Sequence, residues 1–356
     1  MAKLIILGNG FDRNYGLPTD YRNDLRPILK ESNQELFSKL DKLYFNENIT
    51  YWSDFEGKIG DVEDVQFLHD GLEDELTELY MEDISYYSPD DEHYGDDFSA
   101  IENAKDAAEG HRIDLKHRFV ETHLDDFAEF HTFIEDGFRK MAKKANLELD
   151  SQSQILQRDF NFKADDYYII FNYTATLETL YPYINPNHIC HIHGSVQNND
   201  DLIYGNTREN LYSGLSDFIT ENPNYDPDEG KDAELSNYRE YIETVTYSEK
   251  EQNDYNDFVI EKINELNASM VKPVQQAILV DFLRQVNVDE VLIYGLSIGE
   301  VDIPYLEKIN KMFPNSTWTI SYFKDKSDPV CRHTEKLSFS SKVKFVETQD
   351  FKNYFE

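Results

Sequence analysis

The sequence predicts an α/β protein built on a doubly wound, parallel sheet. Short apolar runs rich in β-branched residues recur along the chain, and stretches of helical periodicity lie between them. The first of those runs leads straight into a glycine turn. Strands alternating with helices are the pattern of a parallel sheet covered on both faces.

Leu4-Ile5-Ile6-Leu7 has no polar face, as expected of a strand buried on both sides. It opens into Gly8-Asn9-Gly10-Phe11-Asp12, where two glycines allow a sharp turn and leave no Cβ between the backbone and a ligand. A helix starting near Asp12 would turn its free N–H groups and dipole toward the same place, which suits a phosphate. The full fingerprint G-x-G-x-x-G is incomplete, because Arg13 stands at the last position. A plain βα turn therefore explains the two glycines equally well. Asp12 is ambiguous too: it suits a helix cap, yet it would repel a phosphate. Pro18 ends any helix that precedes it.

Leu25, Ile28, Leu29, Leu36 and Leu40 then fit one helix face or two, and Phe119, His123, Phe127 and Phe130 fit another. Both lie in a mostly helical, acidic span, 20–160, which includes a tyrosine-rich, loose stretch at 86–97. Two further strands end in chemically loaded sequence. Tyr167–Phe171 runs into Asn172-Tyr173-Thr174, and His188–Ile192 runs into His193-Gly194-Ser195. Residues 206–272 form a second acidic insertion, opening on Asn222-Pro223-Asn224-Tyr225-Asp226-Pro227 and turning helical toward Glu265. After it, Val274, Ile278, Phe282 and Val286 share helical spacing. Three strands remain: Val291–Tyr294, leading into a turn at Gly295, then Thr317–Phe323 and Val343–Val346. The expectation is a single domain over 1–356, with helical insertions at 20–160 and 206–272.

Composition narrows the partners. Acidic residues outnumber basic ones, 70 to 34, giving a formal charge of −36 over 356 residues. Such a field repels nucleic acid and anionic membrane. An anionic ligand needs a local dipole or an arginine to offset it. Two cysteines, Cys190 and Cys331, give no disulfide framework, and no apolar stretch has membrane-spanning length. No secretory leader is read at the N-terminus, so a cytoplasmic protein is expected. Oligomeric state is left open, homo-oligomers included.

Ligands of open α/β sheets sit outside the carboxyl ends of the strands, so Asn172, His193 and the glycine turn are expected to converge on one crevice. The segments GNGFDRNYGLPTDY, FNYTATLE, HIHGS and YGLSIGEVDIPY, in that order, resemble the bacteriophage abortive-infection AbiH family. More remotely, the set resembles the sirtuin-like NAD-binding domains. The resemblance implies a Rossmann-like fold, NAD as ligand or substrate, and a role in phage defence, with a phage-derived protein as a candidate trigger.

Carried over motif by motif, the resemblance implies that Gly8 and Gly10 cradle the pyrophosphate and that Ser297 contacts the adenosine half. Asn172 would hold the nicotinamide ribose or a water, and His193 would be the general base. The ligand-contacting set it implies is Gly8, Asn9, Gly10, Phe11, Asp12, Gly194, Gly295, Ser297 and Asp302. Asn9, Asp12 and Thr174 depart from the sirtuin pattern, and the zinc-binding cysteine quartet of that family is absent from the sequence. NAD hydrolysis is thus the favoured activity over deacylation. The alternative is a non-catalytic nucleotide-binding sensor that recognises a phage protein through the insertions. NAD and NADP are not separated.

Plainer readings stand beside these. His191 and His193 would share a strand face, as in an H-x-H metal pair, but no third ligand accompanies them, so no metal is expected. Trp52-Ser53-Asp54-Phe55-Glu56 reads as core packing, with a carboxylate role for Glu56 as the sharper option. Glu300 and Asp302 suit the start of a helix. Arg13 either offsets ligand charge or makes a surface ion pair.

Overall fold

A computed structural model describes residues 2–62, 129–156, 159–206, 249–324 and 328–355. The expected loose stretch at 86–97, the helix face at 119–127 and the proline turns at 222–227 lie outside them. The chain divides into two compact units: Met1–Asp61, Phe130–Glu209 and Ser269–Glu356 form one, Val62–Glu129 and Asn210–Ala268 the other. In the second unit the main described element is the helix Glu249–Ser269, where Ile263 and Leu266 are buried.

The first unit is a parallel sheet between two helical layers. Its strands are β1 (Ala2–Leu7), β2 (Tyr167–Ile170), β3 (Ile189–His191), β4 (Val288–Tyr294), β5 (Thr317–Tyr322) and β6 (Val343–Glu347). They lie in the order β3-β2-β1-β4-β5-β6, every pair parallel. That is the doubly wound, Rossmann-like order, in which the chain reverses its direction of travel between β1 and β4. All six expected strands are present, with ends shifted by no more than a few residues.

Burial explains why these runs are strands. Leu4, Ile6, Ile169, Val291, Ile293, Trp318 and Ile320 face one layer, packed with α6 (Gln276–Leu283) and α7 (Ile303–Met312) through Leu279, Leu283, Tyr305, Leu306 and Ile309. Ile5, Leu7, Tyr168, Ile170, Leu292 and Tyr294 face the other layer. There they meet α1 (Asn9–Asn14) through Phe11, the end of α4 (Phe130–Gln152) through Ala145 and Leu149, and α5 (Thr176–Leu180) through Leu177 and Leu180. Both faces are dry, so neither needs polar residues.

The helical span after residue 20 is broken into α2 (Arg26–Ser32) and α3 (Gln34–Phe45), with a π-turn at Tyr21–Leu25. Asn33 divides them by accepting from the N–H groups of Glu35 and Leu36. Leu25, Leu29, Leu36 and Leu40 are buried as their spacing predicts, while Ile28 of the same expected face is only half-buried. Trp52 stacks on Phe45 with ring centroids 4.2 Å apart and donates its indole N–H to Asp41 at 2.6 Å. The helix expected around 274–286 forms over Gln276–Leu283, and of the expected face Phe282 and Val286 pack against the core. Val274 and Ile278 are exposed, and Leu279 and Leu283 go into the core. Among the described residues no helix is long and apolar enough to cross a membrane.

Candidate functional site at the sheet's switch point

The register brings the four loaded turns to one level. Leu7 pairs with Ile170 on one side and Tyr294 on the other, and Ile170 pairs with His191. The ladder continues one step past the strands: Phe171 N–H donates to Leu7, Ile192 to Ile170 and Gly8 to Tyr294. Asn172, His193, the first glycine turn and the Gly295 turn therefore emerge side by side. A cavity of about 550 Å³ opens there, within the range of small-molecule sites.

The glycines at this point let backbone lie on backbone. A Cβ on Gly10 would stand 2.6 Å from Gly295 Cα, and one on Gly8 would stand 2.6 Å from Gly295 O. Gly295 itself has φ +67, a conformation that glycine adopts without strain. The Gly10 N–H is donated to Gly295 O at 2.7 Å and the Gly8 N–H to Tyr294 O at 3.0 Å. Both amides are thus engaged with β4 and its turn, leaving them no free hydrogen for a phosphate.

Asn9, Gly10, Asp12, Asn172, His193, Gly295, Ser297 and Asp302 all line the cavity. Gly8, Phe11 and Gly194 do not. Phe11 sits in the aromatic core, edge-on to Tyr15 and tilted against Phe160 and Phe162. Gly194 turns the chain with φ +82.

Asn172 is buried and donates its side-chain amide to Gly8 O at 3.0 Å, tying the end of β2 to the first turn. His193 is 3% exposed, lies edge-on to Phe171 and Tyr305, and its Nε2 has no hydrogen-bond partner. Burial, followed by the charge of Lys272, holds its pKa well below the usual imidazole range, with the Phe171 backbone opposing. It is neutral at physiological pH. His191 points elsewhere, with Nε2 2.6 Å from Glu178 and Nδ1 3.3 Å from the Asn172 carbonyl. The chain leaves the sheet after Ile192, so strand alternation stops and the two histidines do not share a face. Among the described residues no group of three or more His, Cys, Asp or Glu is arranged to hold a metal.

Five carboxylates line the cavity, those of Asp12, Asp20, Glu56, Asp302 and Asp328. Asp12 does not cap α1. It is 1% exposed and accepts hydroxyl hydrogens from Thr174 at 2.7 Å and Thr176 at 2.6 Å. Burial pushes its pKa up to about 6 against those hydrogen bonds. Asp302, just ahead of α7, accepts from the Gly299 N–H at 2.9 Å. Burial and the neighbouring charge of Glu56 push its pKa up to about 7, with Lys272 and the Gly299 bond opposing. Glu56 is paired with Lys272 at 2.8 Å. Arg13 lines the cavity but lies 3.4 Å from Asp20 and is largely exposed.

Lys272 and Thr176 were not among the residues the sequence singled out, and Thr174 entered only as a departure from the sirtuin pattern. Lys272 lies 216 positions from Glu56 and is positioned by backbone bonds, its N–H to Asn206 O and the Asn206 N–H to Met270 O. No local motif marks it. Thr174 and Thr176 follow Asn172 directly, and a hydroxyl pair at strand-end spacing was their available signal.

No curated protein and no solved structure matches the chain. Residues 4–322 match the family described as Bacteriophage abortive infection AbiH, which spans all four motifs. The chain belongs to the AbiH family, and with that membership goes a role in abortive infection against bacteriophage.

Proposed function

We propose that this chain is an abortive-infection effector that hydrolyses NAD at the nicotinamide–ribose bond, in the crevice between β1 and β4. The observation that carries the reading is the convergence of Asn172 and His193 on one cavity, His193 with a buried, unpartnered Nε2. A buried polar atom without a partner calls for an explanation, and a ribose hydroxyl or a water supplies one. The remote likeness to sirtuin-type domains supports NAD as the nucleotide.

The residues suit the ribosyl end of the molecule. Breaking the glycosidic bond builds positive charge on the ribose, and the carboxylates at 12, 56 and 302 make the surroundings favourable to it. Neutral His193 accepts a proton at Nε2, and Asn172 fixes the ribose or the water. The bond from ribose C1′ to nitrogen breaks, its electron pair leaves with nicotinamide, and water oxygen bonds to C1′. The diphosphate falls to Asn9 and Arg13, since the Gly8 and Gly10 amides are engaged.

Purified protein incubated with NAD, with and without lysate from phage-infected cells, tests the reading. Release of nicotinamide is expected, falling at least about 100-fold in His193→Ala and Asn172→Ala. NAD levels that stay constant through infection of cells carrying the wild type would overturn it. A second reading, a nucleotide sensor without turnover, draws on the same convergence of residues on one cavity. It predicts thermal stabilisation by NAD with no nicotinamide released.

A further inference from the structure

Three charged side chains meet on one side of the cavity without belonging to any of the four motifs' glycine turns. Lys272 is 3% exposed and its ammonium is 2.8 Å from Glu56. Asp302 is equally buried and within electrostatic reach of both. Glu56 and Asp302 line the same cavity as His193, whose Nε2 is buried and unpartnered. With Lys272 cationic and Glu56 anionic, the pair is neutral, so the charge of the cluster is set by Asp302 alone. Ionised, the cluster carries one negative charge; protonated, none.

We propose that Asp302, with the Glu56–Lys272 ion pair beside it, is a second catalytic group of this crevice: a carboxylate that stabilises a ribosyl cation formed from an N-ribosyl nucleotide with a cationic leaving group. This rests on the glycosidic cleavage proposed above. As the C1′–N bond breaks, its electrons neutralise the pyridinium nitrogen and the positive charge passes to the ribose. A buried anion such as Asp302 stabilises that charge more than the same carboxylate would in water. Water then adds its oxygen to C1′, and its proton passes to Nε2 of His193 and on to solvent. Asp302 keeps its charge throughout, so the step needs it deprotonated.

The groups facing Asp302 are Glu56, Lys272, Tyr21, Tyr173 and Tyr305. Burial raises all three tyrosines, so they stay neutral and do not titrate near neutrality. Activity should therefore rise with pH through a limb centred near the Asp302 value of about 7. Removing the Glu56 charge takes away the like charge that raises Asp302 and leaves Lys272 to favour its anion.

The test is nicotinamide release from NAD by the full-length protein across pH 5.5–9, in the wild type, Asp302→Asn and Glu56→Gln. Asn keeps an acceptor for the Gly299 N–H, and cooperative thermal unfolding checks that each variant folds. Asp302→Asn is expected to lower kcat at least about 100-fold with little change in KM and to abolish the limb. Glu56→Gln is expected to shift the limb to lower pH. A folded Asp302→Asn variant with wild-type kcat, or a limb that Glu56→Gln leaves in place, overturns the proposal while the NAD reading stands. A wild type that releases no nicotinamide, even with infected-cell lysate, overturns both.

Discussion

At the scale of single residues, the crevice stores unfavourable charge. Asp12 accepts two threonine hydroxyls, yet burial outweighs them and lifts its pKa from an ordinary value near 3.8 to about 6. A carboxyl whose folded pKa is raised stabilises the protein below its unfolded pKa, and that stability is lost as pH rises through the folded value. From this group alone the wild type should lose about 2 kcal/mol between pH 4 and pH 7. Asp12→Asn keeps a carbonyl for one threonine and cannot ionise. Urea unfolding should therefore show the variant gaining on the wild type by roughly 2–3 kcal/mol over that interval. A difference that stays constant with pH would show that Asp12 carries no such penalty. Proteins retain a cost of this kind most readily where the charge has work to do.

At the scale of elements, strands were legible in the sequence and helix faces less so. The apolar runs of β1, β2 and β4 are buried on both sides, and such a run has no phase to misread. The segment Gln276–Leu283, QAILVDFL, is apolar nearly all round, so periodicity did not decide which side would be buried. Ile278 went to the surface and Leu279 to the core. Strand alternation likewise failed beyond Ile192, where the chain turns and His193 swings to the Phe171 side while His191 meets α5. The His191–Glu178 pair pins α5 to the end of β3, and it fixes the protonation of His191. Burial lowers the imidazole's pKa, but the hydrogen bond and charge of Glu178, helped by the Asn172 carbonyl, raise it above the ordinary value overall. Stability from this pair is present below the ordinary imidazole pKa and lost as pH rises through the raised one. Glu178→Gln should bring the His191 pKa below the ordinary value, followed by NMR titration of its ring carbons. An unchanged titration would mean that Glu178 does not set it.

At the scale of the whole molecule, topology brought together what sequence distance concealed. Four turn motifs between residues 8 and 302 could be placed on one crevice because a parallel sheet puts all its strand ends on one side. Lys272 could not, because its place depends on a loop pairing at Asn206 and on a partner in a distant helical turn. The crevice is acidic, and so is the chain, with 36 more acidic than basic residues. At low ionic strength this net charge repels itself over a Debye length of about 30 Å, comparable to a domain, and screening at 0.15 M cuts that to about 8 Å. The surface ion pairs such as Lys336–Glu300 weaken with salt as well, but each is worth little. The buried Lys272–Glu56 pair is screened far less. Net repulsion should therefore dominate: the thermal midpoint at pH 7.5 is expected to rise as sodium chloride increases from 10 to 150 mM, with little further gain from Debye screening above that. A midpoint that falls with salt would mean that specific attractions outweigh the field, and that the acidity of the crevice is balanced more completely than its charged residues suggest.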